Sequence, residues 1–265
     1  MLREVSLFLY MEFKRALAYK ISTLRFICGL FIRVLILLLI SSLWGREYTF
    51  YILLPLIPSI FFSRALISFY RVIQGDYWSG RIELFFNLPL KFLSYIFYKS
   101  LASYVWAFLQ SLVYIVVILC LNPPLDYRGF PIAFIGVCLC WVACLGMGLV
   151  SASMFFYLKA KGGGEPVSYL VTLLVELASG LYYPLKILPT FLQFIGLLLP
   201  QTYAFDLIRR TVLHLNDFAF PISFVNPVFL DLFFLVNYAV MWFLLGYYCF
   251  KRSLEYARSY GLPVR

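Results

Sequence analysis

One carboxylate, Glu176, lies in the middle of an apolar run, where an ionised side chain costs roughly 3 kcal/mol on insertion scales. The charge of such a residue must be compensated by an interaction partner or explained by a functional role. It could bind a cationic or hydroxyl-bearing group of a substrate, or form an ion pair while a pathway opens. The structural alternative is a hydrogen bond inside the membrane to Arg33, Arg64 or Lys99. The sequence slightly favours the hydrogen bond and leaves both interpretations open.

Other residue combinations that carry chemistry are missing from the sequence. The aspartates are scattered without the paired spacing that holds a metal, the single histidine excludes a His-Glu-x-x-His site, and no Gly-x-Ser-x-Gly occurs. None of the 15 glycines precedes a lysine, so the chain has no phosphate-binding loop. The six cysteines lie in or beside apolar runs, which favours buried thiols over disulfides or zinc. We expect no catalytic residue, no metal and no cofactor.

Composition indicates the class of protein that must position Glu176. The chain is 63% hydrophobic and 13% charged, with a mean hydropathy of +0.90, whereas a soluble domain has roughly 25% charged residues. We therefore predict an all-α membrane protein with a single transmembrane domain over residues 1–265. Six runs are long enough to span a bilayer: 26–43, 50–70, 100–121, 131–157, 167–183 and 226–250.

The distribution of Lys and Arg predicts the orientation of these spans. Thirteen of them fall in the N-terminal arm up to Lys20, the connections after the second and fourth spans, and the tail, whereas five fall on the opposite side. By the positive-inside rule, both termini are cytoplasmic. We predict an interfacial arm over 1–25 and a cytoplasmic tail over 251–265. The net charge of +10 then reflects topology and attraction to acidic lipid headgroups, and we expect no nucleic-acid partner.

The apolar segment after the fifth span is interrupted by Pro184, Pro189 and Pro200. The pieces between these prolines are at most about ten residues long, half of what a spanning helix needs. Broken helices at membrane depth occur where protein or a water-filled cavity covers the freed backbone groups. We predict an extracytoplasmic re-entrant segment over 184–225. A candidate substrate path begins just before it, at Glu176, Gly180, Tyr183 and Pro184.

The loop over 71–95 contains a second short helix pattern. Gly75 and Gly80 can break the chain, and residues 81–87 can form a helix with Ile82, Phe85 and Phe86 on one face. The residue before Pro89 ends it. Such a helix suits docking to a soluble partner, and the alternative is a helix that lies in the lipid interface. The candidate docking residues are Gly80, Arg81, Ile82, Glu83, Phe85, Phe86 and Pro89.

A row of small residues recurs every four positions in the fourth span. Its members are Gly136, Cys140, Cys144, Gly148 and Ala152. This spacing places them on one helix face and lets another helix approach closely. The neighbour is either a span of the same chain or a second subunit, and the spacing leaves both open.

At this point the motifs, in their order, resemble those of the type-2 ATP-binding-cassette exporter permeases. Gly80-Arg-Ile-Glu83 followed by Leu88-Pro89 is similar to the start and end of that family's cytoplasmic loop, with Arg81 where a small polar residue is usual. The C-terminal third carries the remaining motifs: Ser179-Gly180, Tyr183-Pro184, Leu188-Pro189, Leu199-Pro-Gln-Thr-Tyr-Ala204 and Arg209.

The resemblance implies a six-span subunit that dimerises, binds one ATPase subunit per protomer through the loop, and exports a substrate. ATP would then be bound by the partner ATPase, and the permease would act in the cell membrane as a homodimer or heterodimer. The main alternative is a secondary transporter or channel not driven by ATP. Against it, only the C-terminal half shows a proline-broken helix, whereas such transporters often have two matching halves.

Overall fold

A computed structural model describes residues 20–81, 92–121, 125–157, 166–214 and 226–260, and in these ranges the regular secondary structure is entirely helical. Two 3-10 turns, Tyr127–Gly129 and Leu185–Ile187, connect longer elements. The predicted all-α class is confirmed for this part of the chain. In chain order the α-helices are α1 (Lys20–Trp44), α2 (Arg46–Trp78), α3 (Phe92–Leu121), α4 (Phe130–Tyr157), α5 (Pro166–Ala178), α6 (Thr190–Leu197), α7 (Pro200–Val212) and α8 (Pro227–Tyr260).

Four helical stretches within these ranges are long and apolar enough to cross a membrane. They belong to α2, α3, α4 with its preceding turn, and α8, and they coincide with the second, third, fourth and sixth predicted spans. The pair α6 and α7 adds a fifth if it is treated as one bent span. Helix α1 includes all residues of the first predicted span, 26–43. The chain is therefore a multi-pass membrane protein, and the count of six spans stays a prediction.

The predicted fifth span, 167–183, is longer than the helix that forms there. Helix α5 has 13 residues and ends at Ala178, so it is about 20 Å long against a hydrocarbon thickness of about 30 Å. Gly180 has a φ of 73°, a conformation that glycine adopts without strain, and it turns the chain away from the helix axis. The prediction extended the helix through this turn because the residues beyond it are equally apolar.

Helix α4 is the central element of the bundle. It packs extensively on α8 and α2 and also contacts α7, while α3 packs on α2. Large buried aromatic side chains fill the spaces between these helices, including Phe62, Tyr70, Phe155, Phe205 and Phe250. Helices α3 and α8 lie at the outside, and both expose many large apolar side chains, as expected for helices that face lipid.

The small-residue row of α4 contacts other helices of the same chain. Cys140, Cys144 and Ala152 are fully buried. A Cβ atom built on Gly148 would clash with the carbonyl oxygen of Ala65 in α2, and one on Gly136 would clash with the side chain of Leu207 in α7. At these positions the row packs against other helices of the same protomer.

A second glycine contact joins α4 to α8 and was not predicted. A Cβ atom on Gly246 would clash with the backbone of Gly146, and one on Gly146 would clash with the backbone at Trp242. The two backbones therefore approach each other directly, which is how small residues let membrane helices associate. Neither residue belongs to the row of four-residue spacing, so the sequence pattern did not identify them.

Several predictions concern residues outside the described ranges. These are the interfacial arm up to residue 19, residues 82–91 of the predicted docking loop over 71–95, the end of the re-entrant segment over 215–225, and the last five residues of the tail. The outer parts of that loop are helical, since residues 71–78 belong to α2 and residues 92–95 to α3.

Candidate functional site

The segment between α5 and α8 contains a sharply bent helix pair. Helices α6 and α7 meet at 90°, and Pro200 occupies the first turn of α7, where its missing N–H removes no helical hydrogen bond. The predicted break is therefore present at Pro200. Helix α6 begins at Thr190, directly after Pro189, so two of the three prolines mark helix starts.

Side chains after the bend satisfy the backbone carbonyls that the bend frees. Thr202 donates from Oγ1 to the Gly196 carbonyl at 2.6 Å. The Leu197 carbonyl accepts hydrogen bonds from the hydroxyls of Tyr203 and Tyr238, each at 2.9 Å. Because the last carbonyls of a helix have no partner within it, the Thr-Tyr pair in Leu199-Pro-Gln-Thr-Tyr-Ala204 acts as a cap for the preceding helix.

Arg209 fastens α7 to the turn that follows α5 and to α2. Its guanidinium donates from Nη2 to the Leu181 carbonyl at 2.9 Å and from Nε to the Tyr51 carbonyl at 3.2 Å. The same group lies 3.6 Å from the centroid of the Tyr51 ring, within the range of a cation–π interaction. Arg209 is almost completely buried, so these contacts replace the water that its charge would otherwise require.

The next residue, Arg210, joins α7 to the beginning of α8. Its Nε lies 2.5 Å from an Asp206 carboxylate oxygen and 3.7 Å from Oδ2 of Asp231. Both aspartates are buried. Two carboxylates and one guanidinium thus share one enclosed site. Asp206 accepts a hydrogen bond from Arg210, and Asp231 lies farther from the same guanidinium.

The four candidate path residues lie at the end of α5 and in the turn after it. Gly180 is buried beneath Tyr183 and Arg209, whereas Glu176 is exposed. The Tyr183 hydroxyl donates back to the Leu177 carbonyl, and Pro184 caps the 3-10 turn that follows. The structure thus brings Gly180, Tyr183 and Pro184 into one turn and leaves Glu176 on the helix surface beside it.

Glu176 belongs to an exposed stripe on α5. The other members are apolar: Tyr169, Leu170, Leu173 and Leu177. The opposite face is fastened to the bundle, because Ser168 donates to the Leu66 carbonyl of α2 and lies 2.7 Å from the hydroxyl of Ser151 in α4. Among the described residues, Glu176 has no ion-pair or hydrogen-bond partner, and Lys99, one of the expected partners, pairs elsewhere.

Lys99 pairs with Asp76, which lies at the root of the predicted docking loop. The Asp76 carboxylate is buried, with Nζ of Lys99 2.5 Å from Oδ1 and the Tyr95 hydroxyl 3.0 Å from Oδ2. Nε of Arg81 lies 3.4 Å from Oδ1. Asp76 and Arg81 precede residues 82–91, and the other two residues follow them. We call these four residues the loop clamp, because they join the two ends of the loop.

Of the seven candidate docking residues, the structure describes Gly80 and Arg81. Gly80 has a φ of 73° and ends the turn after α2, and Arg81 belongs to the loop clamp. Ile82, Glu83, Phe85, Phe86 and Pro89 lie outside the described residues. The loop clamp itself was missed by the sequence analysis. A signal was present, since Asp76 and Lys99 are ionisable residues near the facing ends of two predicted spans.

One family model matches the chain. Its description is ABC-2 type transporter, and it covers residues 5–213, which is 209 of the 265 residues. The matched region contains the loop clamp, the small-residue row, the exposed stripe on α5 and the bent helix pair. No curated protein matches the chain.

Proposed function

The chain belongs to the ABC-2 type transporter family, a family of membrane transport subunits, and from this premise we propose that it is the permease of an ATP-driven exporter in the cell membrane. The permease carries no phosphate-binding loop of its own, so a separate ATPase subunit binds and hydrolyses ATP. Two copies, or this chain and a related one, form the membrane-spanning core. The cargo is amphipathic or hydrophobic. The family match over most of the chain is the observation that carries the proposal.

The docking loop is the proposed contact with the ATPase. If residues 81–87 form the predicted helix, Ile82, Phe85 and Phe86 lie on one apolar face that fits a groove on a soluble partner. The loop clamp supports this role, because it ties both ends of the loop to α2 and α3 through a buried carboxylate. A movement of the ATPase would then act on two helices together instead of bending a free loop.

The exposed stripe on α5 is the proposed wall of the transport path. A carboxylate on a surface that faces hydrocarbon is expensive, and the stripe offers Glu176 no neutralising partner among the described residues. A water-filled path between two protomers would hydrate the charge and explain its exposure. In this arrangement Glu176 binds a cationic or hydroxyl-bearing part of the cargo, and the bent pair α6–α7 covers the outer end of the path.

Replacing both Phe85 and Phe86 by serine tests the docking assignment. We expect the ATPase to be lost from the purified complex while the permease keeps its thermal stability, because the change removes only the apolar face of the loop. The matched control replaces the exposed Phe191 and Phe194 of α6 by serine. If the ATPase co-purifies equally well with the loop variant and with the control variant, the loop is not the docking site.

Replacing Glu176 by glutamine tests the path. If the charge contacts cargo, cargo-stimulated ATP hydrolysis of the reconstituted complex should fall by about tenfold while basal hydrolysis stays unchanged, since the loss of about 1.4 kcal/mol of cargo binding corresponds to a factor of ten. The control is Glu255→Gln, which removes an exposed charge near the end of α8. Unchanged stimulation in Glu176→Gln would remove this residue from the path without affecting the docking assignment.

A further inference from the structure

A groove runs between α3 and α8 on the outside of the bundle. These two helices pack on α2 and α4 respectively and make no extensive contact with each other. Phe69 of α2 and two leucines of α4 form its floor, and the walls come from the first turns of α3 and the middle of α8. Its volume is 230 Å³, and the lining residues are Phe69, Leu93, Ser94, Phe97, Tyr98, Leu145, Leu149, Phe243 and Tyr247.

The groove opens at the surface of the bundle. Phe97 is 39% exposed on the α3 wall, and Phe243 and Tyr247 are 44% and 47% exposed on the α8 wall. In a multi-pass membrane protein, this surface faces lipid. A concave apolar surface at that depth is therefore filled by hydrocarbon.

The size and polarity of the groove define how much of a lipid it holds. Its volume lies below the roughly 300–1,000 Å³ of pockets that enclose a whole small molecule, so it takes a segment of one acyl chain. The lining is apolar except for the hydroxyls of Ser94, Tyr98 and Tyr247. Hydroxyl donors beside a hydrocarbon slot match the ester carbonyls where a lipid's acyl chains begin.

A lysine continues the α8 wall beyond the groove. Phe243, Tyr247 and Lys251 are spaced four residues apart in one helix, so they form a single row along its surface. Lys251 is exposed and has no ion-pair partner among the described residues. It lies one turn beyond the aromatic wall, towards the end of the helix, where a charged headgroup would lie if the acyl chain occupied the groove.

We propose that this groove binds one acyl chain of an anionic glycerophospholipid whose phosphate is held by Lys251. The floor and walls select hydrocarbon, and the hydroxyls meet the ester groups. The lysine supplies the preference for a net negative headgroup. The bound lipid completes the surface between α3 and α8, next to the segment of α3 that carries Lys99 of the loop clamp.

Native mass spectrometry of the full-length protein, released from nanodiscs with equal amounts of phosphatidylglycerol and phosphatidylcholine, tests the proposal. The wild type should retain one phosphatidylglycerol in preference to phosphatidylcholine. Lys251→Gln should reduce that preference by about fivefold, the factor that one lysine near an anionic lipid surface supplies, and Lys251→Arg should keep it. Ser94→Trp fills the groove from its exposed wall, so it should abolish retention of either lipid.

Arg252→Gln is the matched control for the headgroup contact. It removes the same charge from the adjacent position of α8, which points about 100° away around the helix axis, and it should retain phosphatidylglycerol as the wild type does. Equal retention of both lipids by the wild type, or an equal loss in Arg252→Gln and Lys251→Gln, would overturn the assignment of the phosphate. Retained lipid in Ser94→Trp would overturn the groove as the site. A changed oligomeric state in Ser94→Trp would assign the groove to a second copy of the chain instead.

Discussion

Asp76 and Glu176 are both carboxylates within apolar helices, yet their surroundings are opposite. Asp76 is enclosed and held by Lys99 and Tyr95, with Arg81 close by. Glu176 lies exposed on an apolar stripe, without a partner among the described residues. A carboxylate with several donors can be a permanent part of the scaffold. A carboxylate that has no partner among the described residues at this depth requires water, a cargo, a second protomer or one of the residues outside those ranges.

Replacing each carboxylate by alanine should distinguish a carboxylate that stabilises the fold from one that does not. We expect Asp76→Ala to lower the free energy of unfolding by about 3 kcal/mol, because it leaves charged and polar partners without their acceptor. This is the lower end of the range for buried ion pairs, since Lys99 keeps some access to solvent. Glu176→Ala should change stability by less than about 0.5 kcal/mol. Unfolding monitored in detergent measures both, and equal losses would contradict the comparison.

The same contrast between enclosed and open positions applies to two glycines. Gly148→Ala should destabilise the protein by about 1–3 kcal/mol, because the new methyl group meets the backbone of α2 at Ala65. Gly75→Ala has nothing within 4 Å of the added atom, so it should be neutral or stabilise α2 by up to about 1 kcal/mol. If α2 and α4 are in direct contact, thermal unfolding gives a lower midpoint for Gly148→Ala and an unchanged or higher midpoint for Gly75→Ala, and equal midpoints would contradict that contact.

A smaller effect is expected where a side chain supports only the helix bend. Tyr203→Phe removes the hydroxyl that donates to the Leu197 carbonyl and should cost about 1 kcal/mol, the typical net value of one hydrogen bond. Tyr238 continues to donate to the same carbonyl, which limits the loss. Tyr127→Phe, at a highly exposed position, is the control and should leave the unfolding midpoint unchanged. Identical midpoints for both variants would show that the bend does not depend on this cap.

Asp126 provides a partly exposed carboxylate outside the spans. It accepts a hydrogen bond from the Arg128 backbone N–H at 2.9 Å, which lowers the pKa of its carboxyl, and His214 reinforces the shift. A lowered pKa means that the folded state binds the proton less readily than the unfolded chain. The stabilisation is therefore present above the unfolded pKa of about 3.9 and is lost as pH falls through the lower folded value. Asp126→Asn should flatten the acid limb of a stability profile below about pH 4, and an unchanged limb would exclude this contribution.

The sequence predicted the elements that depend on local pattern. Four spans coincide with helices because a long apolar run has few alternatives in a membrane. The bend at Pro200 follows from the missing N–H of proline and its steric clash with a preceding turn. The small-residue row on α4 follows from helical spacing, although only the structure shows that its neighbours are α2 and α7.

The features that were missed depend on pairs of residues far apart in the chain. Gly146 and Gly246 are a hundred positions apart, and neither has a regular small-residue pattern around it. In the sequence, Asp76 and Lys99 are two isolated charges, and their ion pair becomes visible only when α2 and α3 are seen to lie side by side. The early end of α5 was missed for a different reason, since the turn after Ala178 consists of residues as apolar as those of the helix.

The contacts of Arg209 bear on the order in which the protein is made. Its hydrogen-bond acceptors, the carbonyls of Tyr51 and Leu181, both precede it in the chain. At a synthesis rate of about 5–20 residues per second, Tyr51 leaves the ribosome roughly 8–30 seconds before Arg209 does. The guanidinium thus enters the membrane after both acceptors have been synthesised. Synthesis from the N-terminus therefore suits the insertion of a charged residue that needs an earlier helix. In a circular permutant that starts between α2 and α5, Tyr51 would instead be synthesised after Arg209.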